Sequence, residues 1–269
     1  MLSDPYNRKI DYLRISVTDR CNHRCVYCMP EEGVVPKHHG DILSYEQIVS
    51  IATVAASLGI TKIRLTGGEP LVRHDIETLV AKLSKISGIA ELAMTTNATL
   101  LAKKAKVLKQ NGLARVNISI DSLNPKKYHD MTRGGKLKHA LAGVDAAIKA
   151  SLTPIKINMV ITTDTSEEEI NQMQDFCRRK KITLQKIMQF SLYDRNELSK
   201  HIQTERPPKC VSCNRLRLTA DGFLKPCLFS EREIKIDFQN IAASIRKAVS
   251  LKPENGVACN NRFMNQIGG

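Results

Sequence analysis

The sequence contains no tryptophan, and aromatic residues amount to only 4% of its 269 residues. Proteins that bind single-stranded nucleic acid stack the bases on aromatic side chains, so such a platform would be poorly supplied here. The sequence also lacks any run of 18 apolar residues, which predicts that no segment spans a membrane. These absences argue against a membrane protein, and they leave a nucleic-acid-binding protein with few aromatic side chains for base stacking.

Acidic residues are outnumbered, with 27 Asp and Glu against 41 Lys and Arg. A basic balance is typical of nucleic-acid-binding proteins, but it also suits a polyphosphate ligand. Residues 1–5 lack the basic and apolar regions of a secretory signal peptide, so we expect a cytosolic protein. In that reducing compartment the eight cysteines favour metal ligation over disulfides.

The most informative pattern is a triad of cysteines, Cys21, Cys25 and Cys28, after a strand-like stretch over residues 12–18. Three thiolates this close can hold three irons of a four-iron cluster and leave the fourth iron without a protein ligand. A zinc site, or two buried thiols beside an unrelated one, is the alternative, although zinc usually takes four ligands in paired spacing. The spacing Cys-x3-Cys-x2-Cys resembles the signature of the radical S-adenosylmethionine (SAM) enzymes, in which the open iron binds SAM.

A second triad with the spacing Cys-x2-Cys-x13-Cys lies near the other end of the chain: Cys210, Cys213 and Cys227. Alone, it could be a zinc site completed by a histidine or by Cys259. Together with the first triad, the stretch over residues 214–222 and the terminal Gly268-Gly269, it resembles the GTP 3′,8-cyclases of molybdenum cofactor synthesis (the MoaA family). The resemblance covers most of the chain and is weak over residues 184–209.

Apolar, β-branched runs alternate with helical patterns, which predicts βα units around a parallel sheet. The predicted strands are residues 12–17, 62–66, 91–95, 115–120, 154–161 and 183–190. The predicted helices are residues 44–58, 75–86, 100–110, 136–150, 166–179 and 238–249, with Cys177 as a packing residue. Because a closed barrel needs eight strands, six units predict an α/β fold with an open partial (β/α)6 barrel. That agrees with the radical SAM fold, and we divide the chain into a barrel over residues 1–192 and a C-terminal iron–sulfur tail over residues 193–269.

Small and polar residues follow the predicted strands at their carboxyl ends, where parallel α/β folds bind ligands. The turn over residues 66–70, Thr-Gly-Gly-Glu-Pro, has two glycines that let a ligand approach the backbone. A plain turn is the alternative, as is helix capping for Asn97 and Asp121. The resemblance implies that SAM contacts Tyr27, Gly68 and Ser119, and that Thr95 contacts GTP.

Several cations lie inside predicted strands, where a charge is costly unless it is paired or faces a ligand. Lys62 and Arg64 alternate and so share one face of the second strand. An exposed sheet face is the alternative explanation, but helices should cover both faces of a parallel sheet. The resemblance assigns five cations to the GTP pocket: Arg14, Arg64, Lys156, Arg215 and Arg217.

The resemblance also implies a reaction. A [4Fe–4S] cluster on the first triad would cleave SAM to a 5′-deoxyadenosyl radical, which takes a hydrogen atom from ribose C3′ of GTP before C3′ attacks guanine C8. A second [4Fe–4S] cluster, on the second triad, would bind the guanine beside the catalytic residues Arg215 and Arg217. The Gly268-Gly269 end would reach into the pocket.

The expected class is a lyase. Its partners would be GTP, an electron donor of the flavodoxin or ferredoxin type and a cyclic pyranopterin monophosphate synthase, with neither nucleic acid nor membrane, and the chain would act as a monomer or homodimer.

The sequence departs from the family before the second triad, where it is much shorter. Family members usually carry Arg-Phe-Ile-Glu on the sixth strand and then a methionine that contacts SAM, whereas residues 185–188 here read Gln-Lys-Ile-Met, with Phe190 at the methionine position. Lys186 would point to the opposite face from the lost arginine, and Met188 could replace the methionine if the alignment slips. Two alternatives therefore stay open. One is a related two-cluster radical SAM enzyme that acts on a peptide or another nucleotide, and the other is a zinc-bearing nucleic-acid-binding protein.

Overall fold

The computed structural model describes residues 1–193 and 210–268. Within them, nine strands form one sheet with the order β6-β5-β4-β3-β2-β1-β7-β8-β9. The strands are β1 (Tyr12–Ser16), β2 (Lys62–Thr66), β3 (Glu91–Thr96), β4 (Arg115–Ser119), β5 (Lys156–Ile161), β6 (Thr183–Met188), β7 (Arg215–Leu218), β8 (Phe223–Lys225) and β9 (Ile234–Lys235). All pairs from β6 across to β7 are parallel, and β7, β8 and β9 form an antiparallel meander.

Helices follow the strands in βα order. They are α1 (Tyr45–Ser57), α2 (Ile76–Leu83), α3 (Leu101–Gln110), α4 (Pro125–Thr132), α5 (Leu137–Lys149), α6 (Glu167–Lys180), α7 (Ile241–Ser250) and the one-turn α8 (Met264–Ile267). Among the helices in the described part of the chain, we find none with the length and hydropathy that a membrane crossing requires. The six predicted βα units and the open sheet are confirmed, and most element bounds differ from prediction by only a few residues at each end.

Local sequence explains where the helices begin. Ser44 and Ser166 each accept a hydrogen bond from the backbone N–H three residues on. In return, the side chains of Gln47 and Glu169 accept one from the backbone N–H of the serine. These reciprocal caps satisfy N–H groups that would otherwise lack partners at a helix start. Helix α4 was not predicted, because its sequence is mostly polar and only its asparagine cap with the following proline marks the start.

The second half of the chain joins the same sheet as the first. Strand β7 pairs in parallel with β1, and the register places Tyr12 opposite Arg215 and Arg14 opposite Arg217. The sequence analysis did not predict β7, β8 or β9, which are only two to four residues long. The domain boundary at residue 193 stays a prediction, and residues 194–209 lie outside the described residues.

The strands divide their side chains between a core and a polar face. Leu13 and Ile15 on β1 and Ile63 and Leu65 on β2 are buried against the helices. Successive side chains of a strand point to opposite faces, so Arg14 and the other alternate residues face away from this core. Cys177 packs in the core on α6, as predicted. The polar face is where the site lies.

Candidate active site

A cavity of about 440 Å³ follows the polar face of the sheet from one edge to the other. Tyr27, Ser119 and Gln189 line it at the carboxyl ends of the strands, whereas Tyr12 and Glu91 line it at their amino ends. We expected ligand contacts at the carboxyl ends and from the cations within the strands. The partial barrel is open, so the cavity continues along the strands to the opposite edge.

Three arginines stand side by side across the middle of this cavity. Arg14 on β1 is the register partner of Arg64 on β2 and of Arg217 on β7, and all three line the cavity. Burial and then the charge of Arg217 lower the pKa of Arg14 well below its ordinary value. Burial and then Arg215 lower the pKa of Arg217 to about 10. Guanidinium groups this close repel one another, and an anion bound among them would relieve the repulsion.

Some donor nitrogen atoms of the arginines remain available to a ligand. The Nε atoms of Arg64 and Arg215 are buried and have no hydrogen-bond partner within residues 1–193 and 210–268. Nη1 of Arg64 donates to Oγ1 of Thr95 over 3.4 Å, which places the predicted hydroxyl beside the arginine row. Buried polar atoms are nearly always hydrogen-bonded in folded proteins, so these nitrogens indicate a missing acceptor.

The floor of the cavity contains residues that the sequence analysis missed. Nη2 of Arg115 donates to Oε1 of Glu91 over 2.7 Å, and its Nη1 donates to Oδ1 of Asn117 over 3.0 Å. Asn158 lies beside Ser119 in the register of β4 and β5. Polar and apolar residues alternate strictly along β4, which would have revealed Arg115 and Asn117, but we did not use that pattern. Lys156 shares the face of Asn158 but is not among the residues that line the cavity.

The sixth strand contributes neutral side chains. Gln185 and Ile187 on β6 line the cavity, whereas Lys186 between them does not. Met188 and Phe190, at and after the end of the strand, also line it. The alternation along β6 therefore directs Gln185, at the position of the arginine that the family usually carries, toward the site. This part of the wall offers an amide instead of a positive charge.

The first cysteine triad follows β1 at the carboxyl edge of the sheet. Cys21, Cys25 and Cys28 are half-buried free thiols on one loop. The segment after α4 supports this loop, since Nη1 of Arg133 donates to the backbone oxygens of Arg24 and Met29 over 3.1 and 3.0 Å. Burial raises the pKa of Cys21 to about 11 and that of Cys28 to about 12, and a bound cation such as iron would stabilise the thiolates that burial disfavours.

The Gly67-Gly68 turn lies directly against the cysteine loop. The N–H of Gly68 donates to the oxygen of Thr18 over 2.8 Å, and a Cβ at Gly68 would collide with the oxygen of Arg20. Glu69 fixes the turn from behind, because its carboxylate accepts hydrogen bonds from the N–H groups of Leu71 and Asn97 and from the hydroxyl of Thr96. Burial raises the pKa of Glu69 to about 7.

Two further residues assigned to SAM stand at this edge. The hydroxyl of Tyr27 donates to Oδ2 of Asp121 over 2.7 Å, and Oδ1 of Asp121 accepts from the N–H of Val160. Ser119 ends β4 beside them. Burial raises the pKa of Asp121 to about 6. Tyr27 and Ser119 line the cavity, whereas Gly68 in the turn does not.

The second triad lies at the opposite edge. Cys213 precedes β7 and Cys227 follows β8, and these strands are antiparallel, so both cysteines lie at the same end of the hairpin. Because β7 runs parallel to β1, this is the amino edge of the barrel strands, and the five-residue strand β1, roughly 13–17 Å long, lies between the two triads. Lys252 donates to the backbone oxygens of Arg215 and Pro226 over 2.8 Å each. Burial alone would raise the pKa of Cys213, but the charges of Lys252 and Arg215 lower it below its ordinary value.

The two triads are the cysteine groups that could hold a metal group in this structure. Within the described residues, no three His, Cys, Asp or Glu side chains converge closely enough to hold one metal ion. A zinc site needs such convergence, whereas the cysteines of a four-iron cluster bind separate irons. Cys21, Cys25 and Cys28 are free thiols, as a cluster on the first triad would need.

The C-terminal segment closes the cavity between the two triads. Nη1 of Arg217 donates to the backbone oxygen of Gly268 over 2.6 Å, and Met264 lines the cavity. A Cβ at Gly268, where φ is +72°, would collide with Oγ1 of Thr66. Glycine is therefore required at this position. Gly269 lies outside the described residues.

Comparison with known sequences relates this chain to one enzyme family. The family description "Radical SAM superfamily" matches residues 15–177, and "Molybdenum Cofactor Synthesis C" matches residues 153–258. A GTP 3′,8-cyclase of Petrotoga mobilis is 39% identical over 321 aligned positions that cover 99% of each chain. One of Alkaliphilus oremlandii is 38% identical over 320 positions that cover 100% of each. Both alignments are longer than the 269 residues of this chain, so both relatives carry residues that it lacks.

Solved structures share the fold at much lower identity. SuiB of Streptococcus suis bound to S-adenosylmethionine is 17% identical with a TM-score of 0.67, over 86% of this chain and 64% of that one. The enzyme anSMEcpe with bound AdoMet is also 17% identical with a TM-score of 0.67, over 91% and 82%. The fold is that of the radical SAM enzymes, whose cofactors are SAM and an iron–sulfur cluster. With this fold, and with close to 40% identity over its whole length to enzymes of that name, the chain belongs to the GTP 3′,8-cyclase family of the radical SAM superfamily.

Proposed function

We propose that this chain is a GTP 3′,8-cyclase, a lyase that converts GTP to 3′,8-cyclo-7,8-dihydro-GTP for molybdenum cofactor synthesis. The observation that carries the proposal is the row of Arg64, Arg14 and Arg217 along the cavity, between two cysteine triads at opposite edges of one sheet. A polyphosphate is the ligand that such a row of guanidinium groups favours. The identity to a GTP 3′,8-cyclase over the full length supports the same substrate.

The triphosphate lies against the arginine row in this proposal. Thr95 stands beside Arg64 and offers a hydroxyl. Lys156, which the resemblance assigns to GTP, lies on β5 but outside the cavity lining, so its charge would act only at longer range. Each charge-assisted hydrogen bond to phosphate contributes about 1.5–3 kcal/mol. Several such contacts would hold the nucleotide while its ribose reacts.

At the carboxyl edge, Cys21, Cys25 and Cys28 would hold one [4Fe–4S] cluster, and Tyr27, Gly68 and Ser119 would contact SAM. When bound, these cofactors supply the one-electron chemistry that removes a hydrogen atom from ribose C3′. The protein contributes placement and the exclusion of water. The buried carboxylates of Glu69 and Asp121 hold the turn and Tyr27 in place for that purpose.

At the amino edge, Cys210, Cys213 and Cys227 would hold a second [4Fe–4S] cluster near the guanine. Arg215 and Arg217 share the face of β7 that lines the cavity, so their side chains are positioned between this cluster and the nucleotide. Arginine suits both phosphate and the acceptor edge of guanine, because its planar fork donates two parallel hydrogen bonds.

The proposal includes two protein partners. An electron donor of the flavodoxin or ferredoxin type would reduce the first cluster, and a cyclic pyranopterin monophosphate synthase would take up the product. We place the reaction in the cytosol, with the chain as a monomer or homodimer.

Anaerobic incubation of the reconstituted protein with dithionite, SAM and GTP tests the function. We expect 3′,8-cyclo-7,8-dihydro-GTP together with 5′-deoxyadenosine and methionine, and no cyclised product when SAM is omitted. Cleavage of SAM with GTP unchanged would refute the substrate and point instead to a related two-cluster enzyme that acts on a peptide or another nucleotide.

A further inference from the structure

Arg262 binds two carboxylates at once, shortly before the end of the chain. Its Nε and Nη2 donate to the two oxygens of Glu233 over 2.8 Å each, and its Nη1 donates to both oxygens of Asp221 over 3.0 and 2.9 Å. The guanidinium is nine-tenths buried and lies over the ring of Phe223 at 5.3 Å from the centroid. All three donor groups of the arginine side chain are therefore used in one orientation.

The two carboxylates belong to the meander that extends the sheet. Asp221 lies in the turn between β7 and β8, and Glu233 lies just before β9. Each carboxylate also meets a lysine, because Nζ of Lys37 is 3.1 Å from Asp221 and Nζ of the fully buried Lys225 is 3.1 Å from Glu233. The backbone N–H of Lys37 in turn donates to Oδ2 of Asp19, next to the first cysteine triad. This charge network links the C-terminal segment to the hairpin of the second triad and to the loop that follows the first.

The residues after Arg262 contact both halves of the site. Nδ2 of Asn265 donates to the oxygen of Asp19 over 2.9 Å, and the backbone N–H of Asn265 donates to the sulfur of Cys28. Met264 lines the cavity, and Gly268 accepts from Arg217. Within six residues the chain therefore passes from the ion network to the first triad and then to the arginine row.

We propose that Arg262 is a positioning residue that fixes the C-terminal segment (residues 263–268) between the two cysteine triads. Chain ends fray unless something ties them down, and these few residues form only a single helical turn of their own. A forked arginine held by two carboxylates permits one orientation, which a single flexible ammonium group cannot enforce. The role rests on the proposed function, since the segment matters for turnover only if the cavity holds the nucleotide.

The first test measures whether the segment is docked and does not depend on catalysis. Arg262→Lys keeps the charge but loses the fork, and Arg178→Lys is the matched control, because Arg178 also pairs with a carboxylate but lies exposed on α6. The reconstituted holoprotein is treated with carboxypeptidase, and the release of C-terminal residues is followed by mass spectrometry. We expect release to be faster in Arg262→Lys than in the wild type, and unchanged in Arg178→Lys. Equal protection in all three proteins would overturn the proposal.

The second test separates positioning from general stability. A displacement of reacting groups by about 1 Å can cost about 100-fold in rate, so kcat for GTP cyclisation should fall by about that factor in Arg262→Lys while iron content and melting temperature stay near the wild type. Glu233→Gln removes part of the same anchor. It should also speed the carboxypeptidase release and lower kcat, but less than Arg262→Lys does. Loss of iron or of folding in both variants, in step with activity, would mean that the network serves stability alone. If GTP is not the substrate, the carboxypeptidase experiment still shows whether Arg262 holds the C-terminal segment in place.

Discussion

Arg14 and Arg217 are direct register partners on β1 and β7, although they lie at opposite ends of the chain. Their closeness lowers the pKa of Arg14, after the larger effect of burial. Two neighbouring guanidinium groups repel each other, and a polyphosphate bound across both would offset that repulsion. The pairing thus marks the place where the substrate binds in our proposal, and it is the basis of the first prediction.

Arg217→Ala should weaken GTP binding far more than SAM binding. The loss of one charge-assisted contact, about 1.5–3 kcal/mol, corresponds to roughly a 10- to 150-fold rise in Kd for GTP. Isothermal titration of the reconstituted protein with GTP and with SAM measures both constants. Arg246→Ala, an exposed arginine on α7, is the control and should change neither. Equal losses for the two ligands would contradict the assignment of Arg217 to the nucleotide.

Cys227→Ala should remove about four of about eight irons per chain, because the second cluster then has only two protein ligands. Cys177→Ala changes a buried core cysteine on α6 and should keep the full iron and sulfide content. Chemical analysis for iron, sulfide and zinc after anaerobic reconstitution gives the counts. Zinc without sulfide in the wild-type protein would refute both clusters and revive the zinc-bearing alternative.

Arg133→Gly should destabilise the first cysteine loop. Arg133 has a φ of +50°, which glycine adopts without strain, so this substitution removes the side chain but preserves the backbone. The carbonyls of Arg24 and Met29 then lose their donor, at a cost of about 1–3 kcal/mol. We expect less iron at the first triad and weaker SAM binding, with the second cluster intact by EPR. Retention of both clusters at full occupancy would show that the first cysteine loop does not depend on the hydrogen bonds from Arg133.

Glu69 should make the stability of the cluster-free protein depend on pH. Burial raises its pKa in the folded protein to about 7, above the value of 4.5 for an unfolded chain. Between these values the folded state binds more protons, so the free energy of unfolding decreases as the pH rises from about 4.5 to 7, by at most about 3 kcal/mol. Glu69→Gln should flatten this decrease in urea titrations at several pH values, whereas Glu32→Gln, an exposed control, should not. An identical pH slope in wild type and Glu69→Gln would contradict a raised pKa.

The local sequence was sufficient for the βα units. The alternation along β2 separated Arg64 from the core residues around it, and Ser44 and Ser166 marked the starts of α1 and α6 correctly. These signals depend on residues within one element, so they can be recognised without the rest of the chain. Helix α4 and the short strands β7 to β9 were not predicted, because they are too short or too polar to show a periodic pattern of apolar residues.

The placement of the site residues was only partly predictable. The cation pattern and the resemblance pointed to Arg14, Arg64 and Arg217, and the structure brings these three together. They did not reveal Arg115 and Glu91, whose ion pair forms across neighbouring strands at the amino edge. Lys156 was assigned to the pocket but is not among the residues that line it, although its register partner Asn117 is.

By itself, the sequence determined which chemistry the protein can hold: two cysteine triads, a glycine turn and a set of strand arginines, each defined by spacing over a few residues. Only the tertiary structure decided that the triads lie at opposite edges of one sheet, with the cavity between them. That arrangement follows from the parallel pairing of β7 with β1, two strands from opposite ends of the chain. Burial of apolar surface drives such pairing without regard to sequence distance, so no local pattern records it.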